Sequence, residues 1–169
     1  DWVKNLPLWG KQILTTRPRQ NSSRLAGRLR ELGAQVIELP SITTKPVWPN
    51  EVLGTILGSI REQESEQWLV FTSPTGVRIF FEALKAEKKD LRALAGLKSA
   101  RLGSGTAKAL ESHGLYPDLM PEIFEGEALG KALAEKLSGG ERILIPRAAL
   151  GGAELIEELE KKGVTVDDI

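Results

Sequence analysis

Three short segments concentrate residues able to grip an anion. Thr72-Ser73-Pro74-Thr75-Gly76, Gly103-Ser104-Gly105-Thr106 and Pro146-Arg147 each place small side chains, hydroxyl groups or an arginine directly after a β-prone run. At the start of a helix such a turn leaves backbone N–H groups unpaired and adds hydroxyl donors with little bulk, which suits a carboxylate or a phosphate. Helix capping explains any one of these turns, and Ser73 followed by Pro74 reads as a cap and a first-turn proline. Three of them on one rim shift the reading toward an anion site. Arg17, Arg19 and Arg147 stand just past strand ends and are candidates for contacts to the same anion, whereas Arg24, Arg28 and Arg30 read as a solvated helix face.

Other chemistries find little support. The chain has no cysteine and one histidine, which removes disulfides, thiolate nucleophiles and clustered-His metal sites. That histidine, His113, lies beside Gly114, where it suits a helix C-terminus. Gly103-Ser104-Gly105 lacks the third glycine and the following acid of a dinucleotide fingerprint, and no Walker lysine is present. The acidic pairs Glu157-Glu158 and Asp167-Asp168 read as solvated faces or turns. Lys plus Arg (23) equals Asp plus Glu (23), which excludes a strongly basic coat for nucleic acid, although residues 1–50 carry a net +5 and the remainder −5. No apolar run approaches the roughly 18 residues of a membrane span. The absence of cysteine fits a cytoplasmic location.

The elements that must position these turns alternate between strand and helix. Ile13–Thr16, Ala34–Leu39, Trp68–Phe71, Ser99–Leu102, Arg142–Ile145 and Val164–Val166 read as strands. Between them, helical spacing predicts helices from about Leu25 to Leu32, over 50–62 with Val52, Ile56 and Ile60 on one face, and after the Thr72-Ser73-Pro74 cap, carrying Val77, Phe80, Phe81 and Leu84. Further helices are predicted after the Gly103-Ser104-Gly105-Thr106 turn to His113, over 125–137 and over 153–162. Gly33, Gly114 and Gly163 sit where helix stops belong. This alternation, in a chain of 169 residues that is 41% hydrophobic, predicts an α/β fold: a parallel sheet covered on both faces as a three-layer domain.

The two ends of the chain match each other at an offset of 130 residues. Ile13 meets Ile143, Leu14 meets Leu144, Arg17 meets Arg147, Leu25 meets Leu155, Leu29 meets Leu159, Gly33 meets Gly163 and Val36 meets Val166. An arginine after the strand is not demanded by packing, so duplication of an α/β domain is the reading taken. The resulting domain map is a leading segment or linker over 1–11, a strand–helix–strand part of a first domain over 12–41, a connection over 42–50 and a nearly complete second domain over 51–169. A lone strand–helix–strand unit exposes too much apolar surface to persist alone, so the first domain is expected to be partial. The start at Asp1 rather than Met predicts a piece of a longer protein.

Taken in order, ILTTRP (Ile13 to Pro18), ELGAQVIELP, WLVFTSPTGVRIFFEAL, RLGSGTAKALESHGL and ILIPRAALGGAELIEELEKKG closely resemble the uroporphyrinogen-III synthase family over most of residues 12–169. NLPLWGKQILTTRP resembles the junction of fusions in which this synthase follows a uroporphyrinogen-III C-methyltransferase domain. The resemblance implies a two-domain fold and a reaction without cofactor or metal. Hydroxymethylbilane, a linear tetrapyrrole rich in carboxylates, is closed to uroporphyrinogen III with ring D inverted and water lost, in tetrapyrrole biosynthesis. It also implies that Thr72, Ser73, Gly76, Gly103, Ser104, Thr106 and Arg147, together with Arg17, contact substrate carboxylates or pyrroles. Val77 and Leu129 are then core, and Glu127 favours a helix start. The family continues with a Val-Tyr-x-Thr strand whose tyrosine is its favoured general acid; Tyr116 does not occupy that position, and no catalytic residue is assigned here. The expectation is therefore one domain plus a fragment of another, inactive or nearly so by itself. A two-lobed α/β module that holds an anionic small molecule without chemistry is the alternative.

Overall fold

Leu69, Phe71 and Leu144 alternate along the chain with Trp68, Val70, Ile143 and Ile145, and every one of them is apolar. Unbroken apolar strands of this kind belong to sheets covered on both faces. The structure, a computed structural model, describes residues 2–16, 19–45, 54–55, 57–58, 66–147 and 152–169. The chain divides into two compact units, Asp1–Trp48 and Pro49–Ile169. The helix expected over 50–62, with its face of Val52, Ile56 and Ile60, lies largely outside the described residues, and so do Arg17 and Pro18.

In the first unit β1 (Gln12–Thr15) and β2 (Gln35–Glu38) pair in parallel and are joined by helix α1 (Arg19–Glu31). The leading segment is folded rather than extended. A 3-10 turn spans Trp2–Asn5, and the Leu8 amide donates to the Leu32 carbonyl at 2.9 Å. Gly33, at φ +93°, lies against it: a Cβ there would stand 2.9 Å from the Leu6 Cβ.

The second unit holds β3 (Gln67–Phe71), α2 (Pro74–Ala86), β4 (Lys98–Arg101), α3 (Gly103–Ser112), α4 (Gly126–Ala134), β5 (Arg142–Ile145), α5 (Ala153–Glu160) and β6 (Thr165–Asp168). Its strands form one parallel sheet in the order β4-β3-β5-β6. On one face Leu69, Phe71 and Leu144 pack with Val77, Phe80, Phe81 and Leu84 of α2 and Leu110 of α3. Phe80 meets Phe71 and Phe81 edge-on, at centroid distances of 5.4 and 5.6 Å, the arrangement that aromatic quadrupoles favour. On the other face Trp68, Val70, Ile143 and Ile145 pack with Leu129 and Leu133 of α4 and Leu155 and Leu159 of α5. Each such fully buried side chain contributes about 1.5–3 kcal/mol. The expected α/β class with parallel sheets is the one adopted.

The sequence repeat is also a repeat of hydrogen bonding. Every register pair of β1 with β2, from Gln12↔Gln35 to Thr15↔Glu38, reappears 130 residues later, from Arg142↔Thr165 to Ile145↔Asp168. The bonds flanking the strands follow: Gln35 N–H to Lys11 and Leu39 N–H to Thr15 are matched by Thr165 N–H to Glu141 and Ile169 N–H to Ile145. Burial does not repeat. Leu14 is 55% exposed and Leu25 40%, whereas Leu144 and Leu155 are 4% and 0%. The same pattern is buried where four strands lie together and exposed where two do.

Strand β6 runs two residues further than its sequence suggests and takes in Asp167 and Asp168. These acids, expected to be solvated, are paired: Asp167 with Arg142, and Asp168 with Arg147. A parallel register carries acids that lack β propensity into the sheet because basic partners wait across the ladder.

Candidate functional site

In an open parallel sheet, connections that leave adjacent strands in opposite directions open a crevice at the strands' carboxyl ends. Here β3 connects onward to β4 on one side, and β5 connects to β6 on the other. The crevice falls between the residues that follow β3 and those that follow β5, namely Thr72-Ser73 and Pro146-Arg147.

Ser73 has extended backbone, φ −151° and ψ 151°, and caps α2. Its Oγ accepts from the Gly76 amide at 3.0 Å, while Val77 N–H donates to the Ser73 carbonyl at 3.2 Å. Pro74 sits in the first turn, where no N–H is needed. The hydroxyl proton of Ser73 thus remains for donation outward. The turn lies between the other two. A Cβ on Gly76 would come 2.7 Å from the Pro146 carbonyl oxygen, and one on Gly105 would come 3.4 Å from the Pro74 Cγ. The two hydroxyl- and glycine-bearing turns and the Pro146-Arg147 turn are neighbours on one rim.

Helix α3 begins without a side-chain cap, since its N-cap residue is Leu102. Gly103 takes φ +75°, a left-handed value that costs other residues about 1–2 kcal/mol. Ser104 is exposed, so the first turn of α3 opens to solvent. The Gly103 carbonyl accepts from Nη1 of Arg101 at 2.6 Å.

After β5, Arg147 is held rather than free. Its Nε and Nη2 donate to the two carboxylate oxygens of Asp168 at 2.7 and 2.6 Å, with the Arg147 side chain only 12% exposed. Its amide donates to the Ile169 carbonyl at 2.8 Å. A two-pronged pair of this kind fixes orientation as well as charge, and its half-exposed carboxylate keeps its worth to about 1 kcal/mol.

The residues predicted for the site therefore part company. Thr72, Ser73, Gly103 and Ser104 line the rim with partial or full exposure. Gly76 lies on it but is buried, and its amide is consumed by Ser73, so it is a packing position and not a ligand donor. Thr106 is 2% exposed and meets no ligand without movement of α3. Arg147 faces Asp168 instead of solvent, and Arg17 lies outside the described residues. Val77 and Leu129 are core, and Glu127 pairs with Lys131 in the first turn of α4. His113 ends α3 and stacks on Phe81, with centroids 4.0 Å apart. It lies with Lys85, Lys89 and Leu91 on an open groove of about 480 Å³ at the helix ends opposite the rim. Sequence reasoning missed two rim residues, Asp168 and Arg101. The signal for Asp168 was its place 130 residues after Glu38 in the repeat.

Among the described residues, no group of three or more His, Asp or Glu side chains could hold a metal ion. No helix among them is long and apolar enough to cross a membrane.

A family model described as uroporphyrinogen-III synthase HemD matches residues 23–169. The chain is 38% identical over 168 residues to a porphyrin biosynthesis protein HemD of Ruminiclostridium josui, a match covering 99% of this chain and 33% of that protein. It is 32% identical over 164 residues to a uroporphyrinogen-III synthase of Synechococcus elongatus, covering 96% of this chain and 60% of that protein. A crystal structure of a mutant uroporphyrinogen III synthase from Thermus thermophilus has the same fold, with a TM-score of 0.66 at 20% identity over 95% of this chain and 61% of that one. The chain spans between one third and about three fifths of the length of these relatives.

Proposed function

This chain belongs to the uroporphyrinogen-III synthase family, and we propose that it serves in closing hydroxymethylbilane to uroporphyrinogen III in tetrapyrrole biosynthesis. The observation that carries the reading is the meeting of two anion-suited turns, Thr72-Ser73 and Gly103-Ser104, on one rim beside the exit of β5, with Pro74 against Gly105 and Gly76 against Pro146. Such a rim offers donors spread over a wide arc and little bulk, which suits a flexible molecule bearing carboxylates on every pyrrole.

In the proposed reaction the ring A nitrogen pushes out the hydroxyl group, which takes up a proton and leaves as water. The already substituted carbon of ring D attacks the resulting azafulvene and forms a spirocycle. That spirocycle opens and recloses with ring D reversed, and loss of one proton restores the pyrrole. Atoms and charge balance: one water departs, and the proton taken up at the first step returns at the last. Unguided closure joins the nearer carbon and gives the symmetric isomer, so the protein's task is to hold the less accessible fold. Ser73 donates its free hydroxyl proton, and Ser104 and Thr72 supply further hydroxyl groups. The open first turn of α3 adds amide donors. Pre-set donors of this kind cost no reorganisation when the ligand arrives.

The unit Asp1–Trp48 is read as part of a domain whose further strands cover Leu14 and Ile37, both exposed side chains of its sheet. A cytoplasmic location and fusion to a uroporphyrinogen-III C-methyltransferase domain complete the proposal. The fusion draws support from a match of 31% identity over 99 residues to a uroporphyrinogen-III C-methyltransferase of Bacillus subtilis, covering 59% of this chain and 19% of that protein. The test is turnover of hydroxymethylbilane by the polypeptide that carries this chain, with the porphyrin isomers resolved after oxidation. An excess of type III over the spontaneous type I supports the reading, and type I alone from folded protein overturns it.

A further inference from the structure

Arg101 is the last residue of β4 and is 7% exposed. Among the described residues its charge has a single neutral acceptor, the Gly103 carbonyl, reached by Nη1 at 2.6 Å. Its Nε is buried without a hydrogen-bond partner, and no carboxylate of the described residues pairs with it. Burying a guanidinium on these terms is costly, and a purely packing role at this position would be filled better by an apolar side chain of similar length.

The place of Arg101 on the rim gives the cost a purpose. It stands opposite Phe71 in the ladder, so it adjoins the turn that begins at Thr72, and the Leu102 amide donates to the Phe71 carbonyl at 2.9 Å. Its guanidinium touches the first turn of α3, which carries no side-chain cap. Arg147 shows what such an arginine does when it is satisfied: at the end of β5, on the far side of β3, it offers Nε and Nη2 side by side and fills that edge with the Asp168 carboxylate. In Arg101 the same edge is empty.

We propose that the Nε–Nη2 edge of Arg101, together with the open N-terminus of α3, receives a carboxylate of the ligand once the first turn of α3 shifts to uncover it. This inference rests on the reading of the rim as a site for a polycarboxylate pyrrole. Arg101 thereby becomes a binding residue, and the Asp168-paired Arg147 a part of the frame.

The experiment titrates uroporphyrin III, the stable oxidised form of the proposed product, into the wild-type chain and into the Arg101→Met, Arg101→Lys and Gly76→Ala variants. Binding is followed by porphyrin fluorescence, and the melting temperature of each ligand-free protein is recorded. Loss of a two-pronged charged contact predicts binding weakened about tenfold or more in Arg101→Met, and less in Arg101→Lys. The melting temperature of Arg101→Met stays level or rises, because an uncompensated charge has left the interior; a residue needed only to hold the Gly103 carbonyl would move it down. In wild-type protein the ¹⁵N Nε–H resonance of Arg101 shifts in step with the fluorescence titration, which decides the matter even if the methionine variant does not fold. Wild-type affinity in Arg101→Met, or an unmoved Nε–H signal at saturation, while Gly76→Ala binds more weakly, overturns the role of Arg101 and leaves the rim reading standing. No binding of uroporphyrin III by folded wild-type protein overturns both.

Discussion

Gly76 in the first turn of α2 and Pro146 at the exit of β5 approach so closely that a Cβ on the glycine would lie 2.7 Å from the proline carbonyl oxygen. The contact brings the start of one helix onto the end of a neighbouring strand, and it sets the width of the crevice between them. Neither residue can give way cheaply, since both contacts at fault would be backbone.

Gly76→Ala is expected to destabilise the protein by about 1–3 kcal/mol, the usual range for overpacking, and to weaken binding of anionic porphyrins. Gly27→Ala is its control. Nothing lies within 4 Å of a Cβ at Gly27 in α1, and alanine in place of glycine inside a helix gains about 0.5–1 kcal/mol. Urea unfolding of the two variants should move in opposite directions; equal shifts would refute the close-approach account.

Ser73→Ala removes the oxygen that accepts the Gly76 amide at 3.0 Å. Loss of such a cap costs about 1 kcal/mol, which lowers the melting temperature by about 2–4 °C in a chain of this size. Ser73→Thr retains the acceptor and should recover most of the loss in a thermal scan. An alanine variant as stable as wild type would show that the cap contributes nothing.

Asp168→Asn replaces the carboxylate that occupies the Nε and Nη2 edge of Arg147. A small fall in stability is expected, about 1 kcal/mol or less because Asp168 is partly exposed. Binding of uroporphyrin III should instead tighten, since a guanidinium formerly neutralised within the chain becomes available to the ligand. Calorimetric titration that finds weaker binding would place Asp168, not its removal, on the side of the ligand.

Glu141, 8% exposed, opens β5 at the end of the sheet away from the rim. Burial works against its charge, but hydrogen bonds from the Ser138, Glu141 and Gly139 amides outweigh it, aided by Lys162, and hold its carboxyl below the usual range for glutamate. A folded value below the unfolded one means that its stabilisation is present above the unfolded value and is lost as pH falls through the folded one. Glu141→Gln is therefore expected to be less stable than wild type at pH 7. The gap should close as the pH falls below the ordinary glutamate range. Urea midpoints measured at neutral and acid pH check it, and a gap that persists unchanged in acid would contradict the assignment.

Much of this molecule is written locally. The apolar runs Trp68–Phe71 and Ile143–Ile145, the cap at Ser73, the stop glycines Gly33 and Gly163 and the 130-residue repeat all depend on neighbours within a few positions or on direct comparison of two stretches. They identified the α/β class and the turns that form the rim, and the resemblance of five longer segments implied the family. The helix bounds shifted from the patterns in both directions, Gly126–Ala134 against 125–137 but Arg19–Glu31 against about Leu25 to Leu32, because the end turns of a helix are decided by what they pack on.

The candidate site was legible in place but not in detail. Thr72, Ser73 and Ser104 lie where the sequence put them, yet Gly76 and Thr106 turned inward. Both sit on the buried side of a helix's first turns, and which side is buried depends on the angle at which that helix crosses the sheet.

From sequence alone came the order of elements, the duplicated strand–helix–strand pattern and the chemical character of the rim, since these follow from backbone preferences and local side-chain spacing. The tertiary structure alone decided which charges are spoken for. Parallel strand register brings Asp168 to Arg147 across 21 residues and gives Arg101 no such partner among the described residues. Charge pairing between distant segments is fixed by the ladder and the packing around it, which no local window of residues contains.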